Sequence, residues 1–178
     1  VNIFYIDENP VEAATMMVDK HVVKMILETT QLLSTAHRVI DGTEYVGQTK
    51  TGRKVKRWVL PDVREEMLYS ATHVNHPSAV WCRTTVGNYK WLYEHLKALH
   101  FEYTYRYGKV HACEKLMGAL FYAPNNLKDW NMTPMPSCMA PEYIISDDPL
   151  TNYRNYYKIG KSQMHKWTKR PTPEWINV

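Results

Sequence analysis

At 178 residues the chain is long enough for one domain with a sizeable core, and its 44% hydrophobic and 22% charged residues are ordinary globular proportions. Lys and Arg number 22 against 18 Asp and Glu, a net charge of +4 that suits an anionic partner without demanding one. No apolar run reaches bilayer length, the opening VNIFYIDENP lacks the basic start and apolar middle of a secretory signal, and the scattered Cys82, Cys113 and Cys138 exclude a disulfide framework and a CxxC metal knuckle. These features predict a cytoplasmic protein with free thiols and no membrane partner.

In chain order, Asn2 to Ile6 reads as a short strand, broken by Glu8-Asn9-Pro10. A long helix follows from about Pro10 to Ile40, interrupted near Asp19 where the periodicity resets and closed by Asp41-Gly42. Residues 43–60 hold two β-prone runs around a Thr-Gly turn, a hairpin signal. Pro61 and Asp62 open a helix through Val74. Asn75-His76-Pro77-Ser78 starts another, predicted to carry through Trp81, Trp91 and Tyr103 to Gly108. A further helix is expected from about Val110 to Tyr122. Residues 123–148, punctuated by Pro124, Pro134, Pro136 and Pro141, read as a long ordered loop. Asp148-Pro149 begins a last helix to about Trp167, and residues 168–178 form a tail. The expected architecture is mainly α: one helical bundle over residues 1–178 with a short N-terminal strand and a basic β-hairpin insertion.

Within the first long helix, His21, Lys24, Glu28, Gln31 and Thr35 follow one another at steps of 3, 4, 3 and 4, which stacks them on one narrow stripe. Val22, Met25, Ile26, Leu33 and Ala36 flank it on one side, and Val23 and Leu27 on the other. A solvated face would be wider, so the stripe suggests a cleft wall. Glu28 suits a general base or the stabiliser of an oxocarbenium ion, and His21 a proton donor or acceptor. Lys24 suits a phosphate-binding ammonium better than an imine-forming amine, because a carboxylate one turn on favours the charged form.

Four other stretches invite a functional reading. Lys50, Arg53, Lys54, Lys56 and Arg57 crowd the hairpin, as a nucleic-acid wing would require, although edge strands also carry Lys simply to prevent pairing. In TYRYGKVHACEK, Tyr105, Arg106, Lys109 and His111 suit a phosphate beside a base, or else a helix terminus with its carbonyls satisfied. In HVNHPSAVWCR, His73 and His76 lack a third metal ligand at helical spacing, so His76 reads as a cap or site donor, with Arg83 reaching the same cleft. Along NYRNYYKIGK, Arg154, Tyr157 and Lys158 interleave cations with rings, a stacking pattern that equally fits a core that uses Tyr for Phe. Trp and Tyr number 6 and 13 against 3 Phe, so most rings here carry a polar handle. No metal-ligand set or cofactor motif is recognised.

The succession DENP, DKHVVKMILETTQLLSTAHR, NHPSAVW, YTYRYGKVH, MAPEY and DDPLTNYRNYYKIGK, with PEW beyond it, resembles over nearly the whole chain a family of small proteins of tailed phages and some bacteria. Some members of that family are labelled pyrimidine-dimer DNA glycosylase-like. In the dimer glycosylases an N-terminal amine attacks the sugar and a nearby glutamate assists. The opening VNIFYID differs from their start, so the resemblance implies phage DNA metabolism and leaves the amine mechanism aside. Three readings result: DNA-directed base processing, action on a free nucleotide or small anionic metabolite, and nucleic-acid binding without catalysis.

Overall fold

The computed structural model describes all 178 residues. The chain is mainly α, built around two long helices, and its β structure is one two-stranded antiparallel hairpin. No helix is long and apolar enough to cross a membrane.

Helix α1 (Pro10–Thr15) starts where Asn9 accepts the Val11 and Glu12 amides on its side-chain oxygen, with Pro10 in the first turn. Its buried Ala13 and Ala14 let it lie close against the second long helix. Helix α2 (Asp19–Asp41) begins after a break at Met16 to Val18, as the periodicity predicts. No side chain of the preceding residue caps it; the Val18 amide instead donates to the buried Tyr157 hydroxyl at 2.9 Å. Strands β1 (Thr43–Gln48) and β2 (Lys54–Val59) pair with Gly47 opposite Val55, and Gly52 at φ 85° turns the chain between them. Helix α3 (Arg64–Met67) and helix α4 (Pro77–Cys82) are short, and α5 (Val86–Tyr107) is the second long helix. Thr85 caps α5 and Gly108, in the left-handed region, ends it. Helices α6 (Met117–Leu120) and α7 (Pro149–Asn155) follow, each extended by turns of other pitch.

Five expected elements come out differently. Asn2 to Ile6 is no strand: the Ile3 and Phe4 amides go to the Asn2 side chain and the Ile6 amide to the Phe4 carbonyl, leaving nothing to pair. The helix expected over 61–74 is confined to α3. Beyond it the backbone is claimed by α2, with Arg38 collecting the carbonyls of Glu65, Leu68, Tyr69 and Trp58 and Thr35 binding the Thr72 amide. The helix expected from Asn75 to Gly108 breaks after Cys82, because the Thr85 side chain starts a new one by accepting the Asn88 amide. The helix expected over 110–122 is a 3-10 turn (Ala112–Leu116) followed by α6. The last helix stops far short of Trp167, passing into a π turn (Tyr156–Gly160) whose Gly160 lies so close to Tyr156 and Tyr143 that a β-carbon would clash with both rings.

The core gathers 31 buried residues from the N-terminal segment, α1, α2, α4, α5 and α7. Tyr89, Tyr153 and Tyr157 are its largest members, and each hydroxyl is satisfied: Tyr89 donates to the Leu120 carbonyl, Tyr153 bonds Asn2, and Tyr157 accepts from Val18. Tyrosine here does serve where phenylalanine would fill another core.

Candidate functional site

The polar stripe on α2 divides along its length. At its N-terminal end His21 is buried, stacked on Phe4 at 4.2 Å between ring centroids, and its Nδ1 meets the Tyr157 hydroxyl at 2.9 Å. The same hydroxyl also accepts the Val18 amide. Burial, reinforced by Lys161 and Lys24, pushes the His21 pKa down to about 3. The expectation that His21 donates a proton is therefore corrected: it is a buried neutral ring that positions Phe4 and the start of α2. Tyr157, expected among the binding residues, is fully buried and belongs to the same network.

One turn further on the stripe opens. Lys24 is exposed, Glu28 and Gln31 are half-buried, and the Glu28 carboxylate points at the beginning of the chain. Its Oε1 lies 3.1 Å from the Val1 α-amino nitrogen, while Lys24 Nζ stands 3.7 Å from Oε2. Oε2 is buried and accepts no hydrogen bond. Val1 is held there by its neighbour: Asn2 donates to the Cys138 carbonyl at 2.8 Å, accepts from Tyr153 at 2.9 Å, and turns back to its own chain through the Ile3 amide. Phe4 follows at φ 58°, an unusual backbone for a bulky residue, which folds the segment back over His21. His76 accepts the Ser78 amide on Nδ1 as the cap of α4, and burial, then the charge of the Val1 amine, lowers its pKa.

Five surface hollows of about 370 to 460 Å³ lie elsewhere, and none is lined by His21, Lys24, Glu28 or Gln31. The Val1–Glu28 pair lies outside these hollows and is largely covered, with 4% of the Val1 side chain and 15% of the Glu28 side chain exposed, while Lys24 beside it is open to solvent.

The other expected site residues are distributed as follows. Arg106 is fully buried, bonded to Asp19 Oδ1 at 2.9 Å, Glu102 Oε2 at 3.0 Å and the Met17 and Thr15 carbonyls, so it is a structural hub and its substrate role is corrected. Arg154 is spent on the Ile6 carbonyl and the Asp7 carboxylate and lies over Trp175, which corrects its nucleic-acid role in the same way. His111 caps the 3-10 turn through the Cys113 amide. Tyr105 is exposed and carries Arg170 on its face at 4.4 Å; Lys109 is exposed beside Tyr103 and Tyr107 in a hollow bordered by Val23. Neither contacts Lys24 or Glu28. Lys158 is half-buried with no carboxylate partner. On the hairpin, Lys50, Arg53, Lys54 and Lys56 are exposed and Arg57 is half-buried. Cross-strand register puts Lys54 and Lys56 on one face and Arg57 on the other, where it folds over Gly47.

Two contributors escape side-chain periodicity. The Val1 amine is backbone, and no pattern of side chains announces it. Lys161, beyond the π turn, stands over the rings of Phe4 (5.7 Å) and Tyr156 (5.1 Å), a placement set by the irregular turn.

No family model, no curated protein and no solved structure matches this chain.

Proposed function

We propose that the protein processes bases in DNA in the manner of a glycosylase, with Glu28 as general base and the exposed Lys24 as the cation that holds a backbone phosphate. The observation that carries this is the place of the two side chains on α2: Lys24 Nζ stands 3.7 Å from Glu28 Oε2, and that oxygen accepts no hydrogen bond. Glu28 takes a proton from a water molecule whose oxygen attacks C1′ of the nucleotide, and the C1′–base bond breaks with its electron pair leaving on the base, which takes up a proton.

Three further features support the reading. Two stretches that carry the family resemblance meet at the start of the chain: the Cys138 carbonyl just before MAPEY holds Asn2, and NYRNYYKIGK supplies Tyr153 and Lys161. Lys161 joins Lys24 in adding positive charge around His21 at the start of the stripe. The exposed hairpin cations stand off the far end of α2, roughly 20 Å along the helix from Glu28, about six base-pair steps of a duplex.

The test is incubation of the purified protein with ultraviolet-treated and base-modified duplexes, scoring base release as strand breaks after alkali. Release is expected from the wild type, with a loss of a hundredfold or more in Glu28→Gln. Inactivity on every duplex, or full activity in Glu28→Gln, would overturn the proposal.

A further inference from the structure

An aromatic ring left in water forgoes the stabilisation that burial would give it, so a group of exposed rings calls for a reason. Of the 6 tryptophans only Trp130 is exposed, at 69%, and Phe121 at 54% and Tyr122 at 75% stand with it around one hollow of about 400 Å³ beside the start of α5. The loops that carry these rings are fixed. Around Trp130, the Val86 amide donates to the Asp129 carbonyl at 2.6 Å and the Thr133 amide to Asn88 Oδ1 at 2.8 Å. Around Phe121 and Tyr122, the Leu120 carbonyl accepts the Tyr89 hydroxyl at 2.7 Å, and the Asn125 and Asn126 amides donate to the Asp41 carboxylate at 2.8 and 2.9 Å. The backbone is clamped on both sides while the rings face outward.

The charge at the hollow is of one sign. Lys90 lies over the Trp130 ring at 5.4 Å and Lys128 donates to the Asn125 carbonyl at 2.9 Å, so neither is spent on a carboxylate. No Asp or Glu lines the hollow. Asp129, next to Trp130 in the chain, accepts the Asn131 amide, and Asp41 is paired with Arg64 at 2.7 Å. Asp41 is also the last residue of α2, two before β1, so the hollow lies at the root of the hairpin that exposes Lys50, Arg53, Lys54 and Lys56. Ring faces bordered by free cations match the bases and phosphates of a single strand, whereas a purely apolar partner would leave the lysines unmatched.

We propose that this hollow is a stacking site for unpaired bases of a nucleic-acid strand, with Trp130 and Tyr122 as platforms and Lys90 and Lys128 as phosphate contacts. Such a site shares its class of ligand with the glycosylase reading and needs none of that reading's chemistry. The test titrates wild type, Trp130→Ala, Tyr122→Ala and Lys128→Met with a labelled oligothymidylate of about eight nucleotides, at several salt concentrations, with thermal unfolding and sedimentation of each protein. The oligonucleotide is expected to quench tryptophan fluorescence of the wild type, and each alanine variant to bind it about tenfold more weakly with an unchanged melting temperature. For Lys128→Met the slope of log affinity against log salt is expected to be shallower by about 0.7. Thymidine monophosphate is expected to bind far more weakly than the oligonucleotide. Unchanged affinity in both alanine variants, a mononucleotide that binds as tightly as the strand, or a dimer that Trp130→Ala dissociates would overturn the proposal. Binding that depends on Trp130 in a protein that releases no base from any duplex would uphold the stacking site and overturn only the glycosylase reading.

Discussion

Two ion clusters sit on α2, and they differ in completeness. At Asp19 the carboxylate, Arg106, Glu102 and Arg170 close on one another, with Thr168 and two backbone carbonyls filling the remaining positions. At Glu28 the carboxylate meets the Val1 amine and an exposed lysine, and one buried oxygen accepts no hydrogen bond. The first cluster ties the tail and α5 to the start of α2 and has no donor to spare. The second keeps an unused acceptor beside a largely covered amine. What separates the two clusters is satisfaction of their polar atoms, not their charge.

Acid is expected to produce the largest effect, and on the closed side. Burial lowers the pKa of His21 to about 3 and of His37, His95 and His100 to about 4, with Arg64 adding to the effect at His37 and His111 at His100. The unfolded chain takes up these protons near pH 6.5 and the folded chain does not, so the stability they confer is full above pH 6.5 and drains as pH falls toward 4. Each ring contributes on the order of 1 kcal/mol per pH unit in that window, read as a fall in urea midpoint between pH 7 and pH 5. Asp19 and Asp41, whose pKa values are lowered by their hydrogen bonds against the opposing pull of burial, lose their contribution only below the ordinary carboxylate range.

Arg106→Met comes next, with a loss of about 3–5 kcal/mol in denaturant unfolding, because Asp19 loses its only cation and Glu102 keeps only Arg170. Tyr157→Phe removes the acceptor of the Val18 amide and the partner of His21, and about 1–3 kcal/mol of stability is expected to go with it. Glu28→Gln marks the other side of the comparison: a change of under about 1 kcal/mol in stability, with activity lost. A Glu28→Gln protein as unstable as Arg106→Met would make the two clusters equivalent and remove the basis for the proposed chemistry.

Much of the fold is legible in the chain, since capping residues and helix breakers are local signals. Asn9-Pro10, the reset at Asp19, Asp41-Gly42, Gly108 and Asp148-Pro149 mark true boundaries, and the hairpin falls at its predicted place. Three of the five failures share one cause: Asn2 at the start of the chain, Arg38 and Thr35 over residues 61–74 and Thr85 at the start of α5 bind backbone groups, and so override helix and strand periodicity. The stripe at His21, Lys24 and Glu28 is legible too, but not its division into a buried end and an open one. That division is made by Phe4 and Tyr157, and by an amine that belongs to no side chain.

The most direct measurement is base release from a damaged duplex by the wild type and by Glu28→Gln under conditions where both bind it. The expected result is release by the wild type and a loss of a hundredfold or more in Glu28→Gln. Equal release by the two proteins, or none from a duplex that the wild type binds, would contradict the account.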